Sequence, residues 1–264
     1  MSHLPTVLVT GASSGIGATY ADRFAHRGHD LVLVARDIAR LEALAERLRR
    51  ETGVTVDVLQ ADLTKTADLE KVEARLQGDA NIGVLVNNAG AALFGGFADQ
   101  TPDTVANLIS LNVTAVTRLA AAIAPRLAKQ GEGAIINIGS VVGLAPEYGS
   151  TVYGATKAFV QFLSQGLAIE LGAKGVYVQA VLPAATRTEI WQRSGRDVNA
   201  LAVMDVEELV DAALVGFDRR EPITIPPLPD AALWDAFDAA RKALAPGFGQ
   251  SHAAARYRRP ELVG

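Results

Sequence analysis

The run Thr6-Val7-Leu8-Val9-Thr10, followed at once by Gly11-Ala12-Ser13-Ser14-Gly15-Ile16-Gly17, constrains this chain more than any other feature. Five apolar or β-branched residues suit a buried strand. The pattern from Ala18 to Arg27 is helical, so the glycines fall between a strand and a helix N-terminus. That order makes an anion site: backbone N–H groups and the helix dipole point at a phosphate, and missing side chains let the backbone approach it. The spacing is Gly-x-x-x-Gly-x-Gly, not the commoner Gly-x-Gly-x-x-Gly. Tight turns also use glycine for positive φ, so the placement carries more weight than the glycines themselves.

Strand patterns then alternate with helix patterns as far as Val181, which argues for a parallel α/β sheet. Strands are expected at 6–10, 30–35, 54–59, 83–87, 133–139, 176–182 and 222–225, with helices between them. The order suggests a doubly wound sheet of about seven strands, its site at the strands' carboxyl ends. No linker or repeat divides the 264 residues, so one domain is expected over 1–264. Residues 223–264 read as an extension of it. Pro222, Pro226, Pro227 and Pro229 surround a short apolar piece, Ala231 to Leu244 is helical, and Pro246-Gly247 ends that helix. Such an extension would cover the pocket as a lid or reach a neighbouring subunit as an arm.

The second strand bears on the choice of dinucleotide. Asp30-Leu31-Val32-Leu33-Val34-Ala35-Arg36 is apolar through its middle, as a strand covered on both faces should be. About 20 residues past such glycines, an acid takes a ribose 2′-hydroxyl, or a nearby Arg takes a 2′-phosphate. Arg36 ends the strand and Asp37 follows. Asp37 also reads as the N-cap of a helix from Ile38 to Arg50, which would occupy its carboxylate with backbone donors. NADP(H) is therefore favoured over NAD(H). The other reading places Asp37 on the ribose and Arg36 in solvent.

Tyr153 and Lys157 stand one helical turn apart and share a face. A cation near a phenol favours the phenolate and brings its pKa down from roughly 10. Ser140, thirteen residues upstream on an expected strand end, could hold a carbonyl oxygen in range of that phenol. Asn112 lies inside a helical pattern, where Asn costs helix propensity and needs partners if buried.

These pieces together resemble the short-chain dehydrogenase/reductase family over residues 6 to about 225. The resemblance rests on Thr10 to Gly17, Asp62-Leu63, Asn87-Asn88-Ala89-Gly90, Asn112, Ser140, and Tyr153 with Lys157, all in the family's order and spacing. It implies a Rossmann-like domain, a nicotinamide cofactor, and reversible hydride transfer at a carbonyl carbon. By the same resemblance Tyr153 is the general acid/base and Ser140 orients the carbonyl oxygen. Lys157 lowers the tyrosine pKa and holds the ribose, while Asn112 supports a proton relay. Gly11, Ser13, Ser14, Gly15, Ile16 and Gly17 would cradle the pyrophosphate. Asp62 and Leu63 would meet the adenine, Asn88, Ala89 and Gly90 would line the adenosine side, and Thr188 would contact the carboxamide. Asp62 reads equally as a turn or N-cap residue, and Asn87 as structural. The family's Pro-Gly-x-x-x-Thr becomes Pro183-Ala184-Ala185-Thr186-Arg187-Thr188, so a positive φ at Ala184 would be costly. Thr186 rivals Thr188 for the carboxamide.

The expected substrate is a small, apolar carbonyl or alcohol, in a pocket drawn from Leu93, Phe94, Phe97, Val142, Leu144, Tyr148, Ile190 and Trp191. Arg187, Arg193 and Arg196 could meet an acyl-carrier or CoA phosphate, which keeps a 3-oxoacyl thioester reductase as an alternative. A catalytically silent dinucleotide sensor is the alternative from another class, although it would be free to lose Asn112, Ser140, Tyr153 or Lys157. Family members usually form dimers or tetramers, and the apolar Phe159, Phe162 and Leu163 beside the tyrosine suit an interface. A formal charge of −4 argues against a nucleic-acid role, and the basic run Arg256 to Arg259 reads as a solvated terminus. No cysteine is present, and the four histidines lack metal-ligand spacing. The longest apolar stretches, such as Ala134 to Pro146, fall below the roughly 18 residues of a membrane span. A strand starting at Thr6 leaves no room for a signal peptide, so a cytoplasmic location is expected.

Overall fold

Seven parallel strands form one sheet in the order β3-β2-β1-β4-β5-β6-β7 in the computed structural model, which describes residues 4–93, 95–189 and 203–258. They are β1 (Thr6–Thr10), β2 (Leu31–Ala35), β3 (Val56–Gln60), β4 (Ile82–Asn87), β5 (Ala134–Ile138), β6 (Tyr177–Val181) and β7 (Ile223–Thr224). The helices are α1 (Gly15–His26), α2 (Ile38–Thr52), α3 (Thr66–Gly78), α4 (Pro102–Ile109), α5 (Val116–Gln130), α6 (Thr151–Gly172), α7 (Val206–Asp218) and α8 (Ala231–Lys242). This is the doubly wound α/β architecture expected from the sequence. Strand order reverses between β1 and β4, which opens a crevice at their carboxyl ends.

Successive strand residues point to opposite faces, so each continuous apolar run supplies two cores. Val7, Val9, Leu31, Leu33, Val84 and Val86 pack with Tyr20, Phe24, Leu41, Leu48 and Leu214 from α1, α2 and α7. Leu8, Val32, Val34 and Leu85 pack on the other face with Leu69, Val72, Leu119, Ile123 and Leu127 from α3 and α5.

Element limits differ from expectation for local reasons. Helix α1 starts at Gly15, not Ala18. Strand β3 starts two residues late because Gly53 ends α2 at φ 76° and Thr55 N–H donates to Asp30 at 2.7 Å. Asp37 does cap α2, its carboxylate accepting from Arg40 N–H at 3.1 Å. Ala184 takes no positive φ, so the loop accommodates alanine; Arg220, at φ 58°, is the described non-glycine residue that does.

The expectation that every apolar stretch is too short for a membrane needs correction. Pro102–Gln130 runs helical for 29 residues, with an 18-residue window of mean hydropathy 1.4. Half of that window is buried inside the protein, and Leu119, Ile123 and Leu127 sit in the core. A core helix meets the same length and polarity test.

The chain forms two compact units, Met1–Pro227 and Leu228–Gly264. Ile223 and Thr224 pair with β6 and so belong to the sheet, not to the extension. In the second unit, Asp230 caps α8 by accepting from Ala232 N–H at 2.9 Å, and Trp234 packs on Phe237 with centroids 5.4 Å apart.

Candidate active site

The crevice beside β1 and β4 is a cavity of about 880 Å3, within the range of roughly 300–1,000 Å3 usual for ligand sites. At its floor the β1–α1 turn presents Gly11, Ser13, Ser14, Gly15 and Ile16. The N-terminus of α1 is open: Ser14 makes no side-chain cap, and no acidic residue stands in the first turn. Its N–H groups therefore have no carboxylate of their own, which fits a bound phosphate.

Gly17 is placed otherwise than expected. It does not line the cavity. A Cβ there would run into Asn88 Nδ2 and the Gly11 carbonyl. At Gly11 a Cβ would lie 2.8 Å from Asn88 Nδ2 and 2.9 Å from Ala89 Cα. These two glycines let the turn close onto the end of β4, while Gly15, at φ 54°, faces Thr188. Thr10 Oγ1 completes this junction, accepting from Asn88 N–H and Ala89 N–H at 3.0 Å each. Asn88 Nδ2 donates back to the Thr10 carbonyl at 2.9 Å.

Farther along the cavity lie Arg36, Asp37, Asp62, Leu63, Asn88, Ala89 and Gly90. Asp62 is both a turn residue and a lining residue. It accepts from Thr64 N–H at 3.0 Å and Oγ1 at 2.7 Å. Burial alone would raise its carboxyl, but those bonds and the Arg36 charge hold it below the usual range. Asn87 is structural, donating to Asn137 Oδ1 at 3.0 Å, while Asn137 donates to Ser164 at 2.9 Å.

Tyr153, Lys157 and Ser140 meet in the middle of the cavity. Tyr153 and Lys157 share one face of α6, and Ser140 sits just past β5. The Ser140 hydroxyl stands beside the Tyr153 phenol in the cavity lining; it accepts from Val142 N–H at 3.2 Å and donates to the Pro183 carbonyl at 3.3 Å. Lys157 Nζ donates to the Ile138 carbonyl at 2.8 Å and lies 5.7 Å from the Tyr153 ring centroid. Burial brings the ammonium pKa down to about 8. The phenol is pushed up by burial, and the group opposing that rise is Ser140. The expected lowering by Lys157 is thus not what this geometry provides, because the ammonium points at a carbonyl and burial disfavours its charge.

Asn112 does not line the cavity. It stands in a π-helical turn, Ser110–Ala115, between α4 and α5. Its amide accepts from Ala91 N–H at 3.0 Å and donates to the Ala91 carbonyl at 2.9 Å and to Thr156 Oγ1 at 3.1 Å. Thr156 in turn donates to the Tyr153 carbonyl at 2.7 Å. Asn112 therefore ties the cavity wall to the Tyr153 helix, through a threonine that the sequence reading missed.

Val142 and Tyr148 line the pocket as expected, joined by Ala91, Ala92, Leu111, Val141 and Ser150. Leu93, Phe97 and Leu144 do not; Phe97 lies in a short 3-10 turn and is 64% exposed. Phe94, Ile190, Trp191, Arg193 and Arg196 lie outside the described residues. Of the rival threonines, Thr186 donates to the Ala184 carbonyl at 3.0 Å, whereas Thr188 faces Gly15. Arg187 pairs with Asp205 at 3.3 Å.

A parallel doubly wound sheet with Ser, Tyr and Lys gathered beside an open helix N-terminus defines a class of dinucleotide-dependent dehydrogenases. The chain belongs to the short-chain dehydrogenase family, whose model matches residues 5–199. It is 69% identical to a short-chain dehydrogenase from Sphingobium yanoikuyae solved in complex with NADPH (TM-score 0.95, covering 97% of this chain and 100% of that one). It is 60% identical to a bulky-bulky ketone specific alcohol dehydrogenase from Comamonas testosteroni (TM-score 0.92, covering 98% and 100%). A curated relative, the very-long-chain 3-oxoacyl-CoA reductase of Bos taurus, is 37% identical over 187 residues, or 69% of this chain. This chain spans 60% of that relative's length.

Proposed function

We propose that this protein is an NADP(H)-dependent oxidoreductase that interconverts a ketone and a secondary alcohol bearing large apolar groups. The observation that carries the reading is the Tyr153 phenol, beside Ser140 and buried Lys157, in one cavity with an uncapped helix N-terminus. The dinucleotide supplies the hydride when bound. The open N-terminus of α1 would hold its pyrophosphate, Asp62 and Leu63 its adenine, and Thr188 its carboxamide. Arg36 would hold a 2′-phosphate. Asp37 is engaged with Arg40, through its N–H at 3.1 Å and Nε at 3.4 Å, which supports NADP(H) over NAD(H).

In the reducing direction Ser140 donates a hydrogen bond to the carbonyl oxygen, and Tyr153 transfers its proton to that oxygen as negative charge grows there. A raised phenol pKa keeps Tyr153 protonated for this task. Lys157, with a pKa of about 8, can pass on a proton near neutrality. Alcohol oxidation runs these steps backwards, with Tyr153 as base.

The wall formed by Ala91, Ala92, Leu111, Val141, Val142 and Tyr148 suits apolar groups. Similarity to 3-oxoacyl-CoA reductases supports a thioester as the second reading. Arg187, one of the cations that could serve its phosphates, is paired with Asp205. A homodimer or homotetramer and a cytoplasmic location belong to the same proposal; cell fractionation tests the latter.

The test follows NADPH absorbance with ketones of increasing bulk, aldehydes and 3-oxoacyl thioesters. Tyr153→Phe is expected to cut turnover by at least about a hundredfold with NADPH binding kept. Arg36→Ala is expected to weaken NADPH more than NADH. Near-parental turnover by Tyr153→Phe sinks the reading.

A further inference from the structure

Glu189 and Arg40 are 149 residues apart, yet Arg40 Nη1 donates to both carboxylate oxygens of Glu189, at 2.7 and 2.8 Å. Arg40 lies in the first turn of α2, beside Asp37 on the Arg36 side of the cavity. Glu189 lies in the loop after β6, next to Thr188. Both Thr188 and Glu189 line the cavity. Beneath them is the glycine turn, where a Cβ on Gly15 would come within 3.2 Å of Thr188 Cγ2. The segment Thr188–Glu189 therefore runs along the cavity lining from beside the glycine turn to α2, where Arg40 fastens it.

Arg40 is held at this spot by its own helix. Its backbone N–H bonds the Asp37 carboxylate, and its Nε lies 3.4 Å from Asp37 Oδ2. Between Asp37 and Glu189 the guanidinium meets two carboxylates, so its charge serves this junction rather than an incoming phosphate.

We propose that the Arg40–Glu189 ion pair is a strap that positions Thr188 over the cofactor and slows cofactor release. The proposal rests on the reading of this cavity as the dinucleotide site. Both are positioning residues that act through Thr188 and the loop, and neither touches the reacting atoms. The pair is part-exposed (48% and 36%), so its effect is modest and weakens with salt. A strap fastened to protein at both ends acts alike on NADPH and NADH.

The experiment is stopped-flow displacement of NADPH from the full chain, comparing Glu189→Gln, Arg40→Gln and the double variant at low and high salt. Glu189→Gln is expected to speed release about 2- to 5-fold at low salt and less at high salt. It should raise KM for NADPH and NADH by the same factor. The double variant should release no faster than Arg40→Gln alone, the non-additivity expected of a coupled pair. An unchanged melting temperature in Glu189→Gln excludes a general loss of folding. The strap is overturned if Glu189→Gln leaves release unchanged, or slows it, as it would if Glu189 merely kept Arg40 from the 2′-phosphate. Full additivity of the two single variants overturns it as well. Arg36→Ala run in parallel separates the two failures. If it weakens NADPH while Glu189→Gln does nothing, the strap alone fails; if the parent binds no dinucleotide, the reading of the cavity fails and the strap with it.

Discussion

Lys157 is buried in the cavity at a cost to stability. The residue is 7% exposed; its ammonium donates to the Ile138 carbonyl, and burial brings its pKa down to about 8 from the ordinary 10.5. Between those values the unfolded chain keeps a proton that the folded chain has released. Stability therefore rises with pH across that window, and below pH 8 the folded state bears the whole penalty of about 3 kcal/mol. Lys157→Met removes that penalty and leaves the Ile138 carbonyl without its donor, which costs about 1 kcal/mol. The variant without cofactor is expected to be more stable than the parent at pH 7 by on the order of 2 kcal/mol, and inactive. Denaturant unfolding of both proteins at pH 7, 8, 9 and 10 tests this. The stability difference should shrink as pH rises from 8 towards 10; a constant gap would mean that the lysine is not carrying its charge at a cost. An enzyme that keeps such a lysine gives up stability for a proton-handling group near neutral pH, as functional sites commonly do.

At the scale of elements, the β1–α1 turn shows how one motif serves two ends. Gly15 lines the cavity facing Thr188, whereas Gly11 and Gly17 let the turn close on the end of β4. Helix propensity alone would make Gly17→Ala stabilising by about 1 kcal/mol. The close approach of Asn88 and the Gly11 carbonyl predicts the reverse, because backbone cannot move aside as a flexible side chain could. The expected loss is about 1–3 kcal/mol, read by urea unfolding, and a more stable variant would refute the packing argument. The sequence made the elements legible because parallel strands buried on both faces read as unbroken apolar runs between amphipathic helices. The family resemblance singled out Ser140, Tyr153 and Lys157, because a Tyr and a Lys one helical turn apart fit an ordinary surface pair equally well. Motif spacing does not say whether a glycine faces a ligand or a neighbouring strand, so Gly17 was misassigned. Nor does it carry pairings between distant elements. Thr156 bonds Asn112 44 residues away, and Glu189 meets Arg40 across the cavity, with nothing in either local stretch to announce it.

At the scale of the molecule, two apolar surfaces stand uncovered on the single chain. On α6, the helix that carries Tyr153 and Lys157, Phe162 is 75% and Ile169 78% exposed, with Phe159 beside them. On α8, Leu233 and Phe237 are exposed at helical spacing, and no residue of that helix is buried. A 12-residue helix is marginal in water by itself, and exposed apolar patches of this kind commonly mark contacts with other proteins or with membranes. The homo-oligomer proposed above would cover the α6 face and thereby brace the helix that bears the catalytic pair. Phe162→Asp is expected to lower the sedimentation mass and reduce turnover together, while NADPH still binds to the dissociated chain. If the extension is an arm of the same assembly, removing residues 245–264 also lowers the mass. If that deletion leaves the mass unchanged and instead alters KM for the ketone, the extension acts as a lid. If Phe162→Asp leaves the mass unchanged, subunits do not meet on α6 at all.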